Sequence, residues 1–161
     1  MAEKELFLDA WEKEFATTMK VLRAYPTHRK DFRPHEKSKT AKELAWTFVI
    51  EEKTVIEGAI AGNIDFREHI PPATMEEVIS EYERAHKVVV GKVKSLSEQE
   101  LNNTVKFPVA PKTMADLRKI DVFWGVIRDM IHHRGQFSVY LRFVDGKVPS
   151  IYGPSADEPW F

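Results

Sequence analysis

The chain has 161 residues, of which 43% are hydrophobic and 30% charged, with a formal charge of −1 and no cysteine. That length suits a single domain, 1–161, with a real apolar core, and the near-neutral balance argues against a general polyanion binder, so no nucleic-acid partner is expected. Without cysteine there is no disulfide, thiolate ligand or cysteine nucleophile; without a secretory h-region or a run of roughly 18 apolar residues, no membrane partner is expected and the cytoplasm is the expected location.

Phe7, Trp11, Phe15, Met19 and Leu22 recur at three- and four-residue spacing, which predicts an amphipathic helix over Lys4–Ala24 that Pro26 ends. The basic, proline-broken stretch YPTHRKDFRPHEKSKT reads as a loop. Thr40 and Glu43 form a capping box for a second helix, Lys39–Ala61, stopped at Gly62-Asn63. Its inward line is Leu44, Thr47, Phe48, Glu51, Val55 and Gly58, so a threonine and a glutamate stand among core positions. Glu51 and Glu52 differ by about 100° on an α-helix, so only one of them is expected to point inward.

Asp65–Ala73 reads as a loop, and Thr74 caps a third helix reaching Ser95. Its stripe is Met75, Val78, Ile79, Tyr82, Ala85, Val89 and Val93, with His86 at the margin. Ser97 and Glu100 cap a short further turn. The segment NTVKFPVAPKT reads as an irregular or briefly extended link, and Thr113–Lys119 as a short helix. The longest proline-free stretch, Ile120–Val144, predicts a helix of about six or seven turns. The tail 145–161 is full of turn residues yet holds Ile151, Tyr152, Trp160 and Phe161, which suits packing over an edge. Four substantial helices make an all-α four-helix bundle the expected architecture.

The last helix carries a second line beside its core stripe: Val122, Val126, Asp129, His133, Gln136 and Tyr140. It begins apolar and turns polar, as expected of a helix bordering a cavity with polar walls. Asp129 and His133 are one turn apart on one face and can converge on a divalent ion such as zinc or nickel, with Glu51 offered from the facing helix. The plainer alternative is that Asp129 orients His133 and that Glu51 pairs with Arg128 or Arg134. Thr47, Gln136 and Tyr140 would line the pocket and meet a small-molecule ligand.

The segments FRPHEKSKTAKELAW, HHRGQFSVYLR and KVPSIYGPSADE together resemble the DinB-like family, the DinB/YfiT-like metalloenzymes, over nearly the whole chain. The resemblance implies an up-down-down-up four-helix bundle, often a homodimer. It also implies a divalent metal held by three histidines, one from the second helix and two, four residues apart, from the last. Relatives in this wider group include thiol-dependent transferases and isomerases. On this sequence the three ligand positions fall on Thr47, Asp129 and His133. One histidine is kept; Asp129 remains a possible ligand, a threonine hydroxyl is a poor one, and Glu51 could substitute from one turn along. Two readings follow: a metal-dependent, thiol-linked small-molecule transferase or hydrolase with a degenerate metal site, and a ligand-binding or structural relative that has lost the metal.

Overall fold

The apolar repeats of the sequence become helices in a computed structural model that describes residues 2–67 and 69–161. Helix α1, Glu3–Arg23, buries Phe7, Trp11, Met19 and Leu22. A 3-10 turn, Thr27–Arg29, interrupts the basic connection that follows. Helix α2, Ala41–Ile50, opens on the expected box: the Glu43 amide donates to Thr40 Oγ1 at 3.2 Å and the Thr40 amide to Glu43 Oε2 at 2.7 Å. The helical path then widens into a π turn, Glu51–Ile56, before closing as α3, Glu57–Ala61. Gly62 ends it with a φ of 83°, the left-handed conformation glycine adopts without steric cost.

In the loop predicted for Asp65–Ala73, residue 68 lies outside the described residues, and the rest carries no helix or strand. Helix α4, Met75–Ser95, starts from Thr74, whose hydroxyl accepts from the Glu77 amide at 3.2 Å. Helix α5, Glu98–Asn102, is the short turn capped by Ser97. Helix α6, Lys119–Phe143, is the long one.

Two expectations need correction. The protein is mostly helical but carries a two-stranded antiparallel sheet, β1 Thr104–Ala110 with β2 Thr113–Arg118, so the all-α reading does not hold throughout. The expected short helix at Thr113–Lys119 is the second of these strands. Six or seven residues are too few to nucleate a stable helix unaided, whereas the strand gains a partner at once. Val105 faces Leu117, Phe107 faces Ala115, and Lys106 Nζ reaches Asp116 Oδ2 across the pair at 2.8 Å. Pro108, read in the sequence as a breaker, sits where the register becomes irregular, in a ribbon whose strands each keep an unpaired edge.

Helix α1 packs against α4 and α6, and α2 packs against the same two, with the π turn touching both α4 and α6. One apolar cluster fills the space between, including Trp11, Phe48, Ile56, Tyr82, Phe123 and Phe137, all fully buried. The tail is held by a polar clasp. Buried Arg134 on α6 pairs with Glu14 Oε2 at 2.7 Å, donates to Thr18 Oγ1 at 3.2 Å and bonds the Tyr152 hydroxyl, which itself donates to Glu14 at 2.6 Å. Val148 and Ile151 pack on the core, while Trp160 and Phe161 stay exposed. No helix among the described residues is long and apolar enough to cross a membrane.

Gly58 shows how closely the chain doubles back after the π turn. A Cβ there would lie 2.9 Å from the Asn63 carbonyl oxygen and 3.0 Å from Ile64 Cα, both backbone atoms with little room to yield. Gly58→Ala is therefore expected to destabilise by about 1–3 kcal/mol, as overpacking does. Urea unfolding checks this, and a midpoint equal to wild type would contradict it.

Candidate functional site

The π turn decides which side chains reach the interior. Its i→i+5 ring turns the chain less per residue than an α-helix does, so neighbouring residues diverge less. Glu51 and Glu52 both point inward as a result, against the expectation from α-helical geometry. Glu51 turns towards Asp129 on α6, and Glu52 enters the core between α1 and α4.

Glu52 is completely buried. Its Oε1 accepts from Trp11 Nε1 at 3.1 Å and lies 2.8 Å from His86 Nδ1, while Oε2 has no partner among the described protein atoms. Burial pushes its carboxyl pKa up, and the His86 and Trp11 hydrogen bonds oppose that. The other imidazole nitrogen of His86 is 3.2 Å from Glu12 Oε2, and its ring stacks on Phe15 with centroids 3.6 Å apart. Sequence reading placed His86 at a helix margin and did not single out Glu52. The available signal was a second glutamate beside an inward one, and it would have pointed here only if the π turn were known.

The predicted residues lie on the opposite side of the same turn. His133 Nε2 is 3.1 Å from Asp129 Oδ2, and its Nδ1 is 3.1 Å from Gln136 Oε1. Both ring nitrogens thus face oxygen acceptors, which suits the doubly protonated ring. The Asp129 hydrogen bond raises the His133 pKa, and the same bond holds Asp129 below the usual carboxylate range. Glu51 goes the other way. Burial, then the charge of Asp129 and a hydrogen bond with it, push Glu51 up to about 8. Two carboxyls in hydrogen-bond reach share a proton, and here Glu51 keeps it. The expected ion pairs of Glu51 with Arg128 or Arg134 are not formed: Arg134 is committed to Glu14.

Thr47 is buried, and its hydroxyl accepts from Lys39 Nζ at 2.9 Å. Tyr140 donates its hydroxyl to the Lys39 carbonyl at 3.0 Å, so the last helix fixes the backbone from which that lysine projects. Lys39, not anticipated as a site residue, also acts electrostatically on both Glu51 and His133. A cleft of about 500 Å³ opens here, walled by Ser38, Lys39, Leu44, His133, Gln136 and Tyr140 among others. Ser38 and Lys39 also border a second cleft of about 620 Å³ that runs past Trp46, Ile50 and His69. Asp129, Glu51 and Thr47 form no part of the first cleft's wall; they stand next to the residues that do. Among the described residues, no group of three or more His, Cys, Asp or Glu is arranged to hold a metal ion.

The fold and this chain's sequence both match known proteins. Residues 1–159 match the DinB family. The chain belongs to the DinB family. It is 25% identical over 159 residues to the uncharacterized protein YrdA of Bacillus subtilis, covering 94% of this chain and 89% of that protein. A DinB-like protein from Bacillus cereus superposes with a TM-score of 0.78 at 20% identity, covering 92% of this chain and 97% of that one. The DinB-like protein YjoA of Bacillus subtilis gives 0.71 at 13% identity over 96% and 99% of the two chains. Likeness at these identities establishes the shared fold of the DinB-like proteins.

The proton on Glu51 has a stability consequence. Its folded pKa lies above the ordinary 4.5, so the folded state retains a proton that the unfolded chain releases. Stability must then fall as pH rises from about 4.5 towards about 8. His133 adds to the fall, because its raised value stabilises fully below the ordinary 6.5 and is lost as pH climbs through the folded value. Asp129 acts oppositely, its contribution being lost on acidification below 3.8. Glu51→Gln keeps the neutral donor and removes the titration, so the loss of stability between pH 5 and pH 8.5 should shrink by about 1–3 kcal/mol. Urea unfolding at the two pH values measures it; an unchanged difference would show that Glu51 does not carry the proton.

Proposed function

We propose that this DinB-family protein binds a small molecule in the cleft beside α6, with the Lys39 ammonium as the fixed cation of the site in place of a divalent metal. The observation that carries this reading is the 2.9 Å bond from Lys39 Nζ to Thr47 Oγ1. Thr47 is the position where the family resemblance implies a histidine ligand, and in this chain a cation is already tethered to it. The donor set around it does not suit a divalent ion. A metal-bound imidazole must offer an unprotonated nitrogen, and both nitrogens of His133 face acceptors. Thr47 is neutral and Glu51 is held protonated, so Asp129 is the one anionic oxygen donor of the set.

A second reading is a metal-dependent, thiol-linked transferase or hydrolase in which His133, Asp129 and Glu51 hold zinc or nickel. It is favoured by the 3.1 Å approach of Asp129 to His133 with Glu51 alongside, an arrangement that loss of protons could convert into ligands. The rest of the proposal concerns assembly: one domain, an up-down-down-up arrangement of the four long helices, and a homodimer. The ring of contacts α1, α4, α2, α6 supports the first two. Exposed Phe66, Phe143, Tyr152, Trp160 and Phe161 support the third, since large apolar side chains are commonly covered by a second copy.

Zinc titration by calorimetry separates the two functional readings. Wild type and Thr47→His should take up no zinc near neutral pH, while Lys39→Met combined with Thr47→His should bind it at least about tenfold more tightly than either. Uptake of one equivalent by wild type, abolished by His133→Ala in a folded protein, would overturn the lysine reading in favour of the metal-dependent one. For assembly, light scattering at micromolar concentration should give the mass of two chains; the mass of one would remove the dimer.

A further inference from the structure

Two basic side chains, Lys39 and His133, line the cleft, and they are partnered differently. Lys39 makes its side-chain hydrogen bond to an uncharged hydroxyl, and among the described residues no carboxylate lies within ion-pair distance of its ammonium. The neighbouring acids are engaged elsewhere. Asp129 is paired with His133, Glu51 hydrogen-bonds Asp129, and Glu43 is spent on the helix cap, accepting from the Thr40 amide at 2.7 Å. Of the two basic groups on the cleft wall, His133 is paired with Asp129, whereas the Lys39 ammonium makes no ion pair among the described residues. Lys39 is exposed on the cleft wall, so its ammonium is accessible to an anion from solution.

The cleft wall shows what else the neutralising group brings. Beside the Lys39 ammonium and the His133 and Gln136 side chains stand Pro34, Leu44, Val139 and the ring of Tyr140. This pattern of a polar head beside an apolar wall is that of a site for an amphipathic molecule. We infer that the cleft takes a small organic acid, its carboxylate on Lys39 Nζ beside His133 and its apolar body along Leu44, Val139 and Tyr140. This rests on the small-molecule reading above and names the class of ligand. One unpaired ammonium beside an apolar wall suits a carboxylate with an apolar body, whereas a phosphate dianion would leave that wall unused. Binding requires no movement of the Lys39 backbone, because the Tyr140 hydroxyl already holds its carbonyl. Thr47, a neutral acceptor, leaves the remaining ammonium protons available to the ligand.

Octanoate is a suitable probe, with octanamide and inorganic phosphate as controls, titrated calorimetrically into the full-length protein at pH 7. Octanoate should bind, the isosteric amide at least about tenfold more weakly, and phosphate should neither bind comparably nor displace octanoate. Lys39→Met should weaken octanoate at least about tenfold, and Lys39→Arg should keep most of the affinity, since it preserves the charge. Circular dichroism establishes that both variants are folded, and a variant that unfolds is replaced by octanoate-dependent shifts of the Lys39 Nζ proton or carbon resonances in wild type. Absence of binding at millimolar octanoate, equal binding of the amide, or full affinity in Lys39→Met overturns the inference. Equal binding of amide and acid would overturn the carboxylate alone and leave a small-molecule cleft standing. Zinc uptake by wild type tests the metal-free reading independently.

Discussion

A carboxylate with nowhere to go but the core sets the shape of the site. Glu52 is fully buried, and burying such a group is costly unless it finds hydrogen-bond partners. Trp11 from α1 and His86 from α4 both meet its Oε1, at 3.1 and 2.8 Å. Meeting both requires the second helical segment to present Glu52 between those helices while its neighbours keep their own places against α6. A regular α-helix spreads adjacent side chains too far apart for this; the π turn does not. The wide turn therefore follows from satisfying Glu52, and Glu51 is carried towards Asp129 as a consequence. Structural and candidate functional acids are adjacent in sequence because one backbone irregularity serves both.

Proton placement then follows from the unequal surroundings of three acids. Glu52 has two donors, Asp129 has the imidazole of His133, and Glu51 has neither a basic partner in contact nor much water. Burial penalises the charged form, so Glu51 gives up its charge most readily and becomes a hydrogen-bond donor to Asp129. The same Asp129 raises the imidazole's pKa. Lys39 is left with a neutral hydroxyl as its hydrogen-bond partner.

The helices were legible in the residues because their apolar spacing and capping boxes agree. Thr40 with Glu43, Thr74 with Glu77 and Ser97 with Glu100 each mark a start where the structure has one. His133, Asp129, Gln136 and Tyr140 were legible as one line because a polar turn on a flanking face has no core role. The π turn was not legible, since every positional inference assumed 3.6 residues per turn and a single inserted residue shifts all that follows. Lys39 was missed for a different reason: a lysine in a basic, proline-rich loop looks like any solvated cation. Only the fold brings it against Thr47, eight residues later and on the next helix. The hairpin was hidden by its own prolines, which weaken a strand in a broad sheet but are tolerated in a two-stranded ribbon with free edges.

Two charged clusters flank the π turn, and their difference separates architecture from function. Around Glu52, Trp11 and His86 meet one carboxylate oxygen, Glu12 lies on the far side of the imidazole and Phe15 stacks over the ring, while Oε2 has no partner among the described protein atoms. Arg134 is treated likewise, enclosed by Glu14, Thr18 and Tyr152. Such buried sets specify which helices meet and in what register. The set around Lys39 is open. Lys39 is exposed, walls a cleft and makes no ion pair among the described residues. Elsewhere the chain pairs exposed lysines with carboxylates, for example Lys53 with Glu81 at 2.7 Å. An exposed ammonium on a cleft wall, hydrogen-bonded to a neutral hydroxyl and set beside Leu44 and Val139, is open to a partner that arrives from solution.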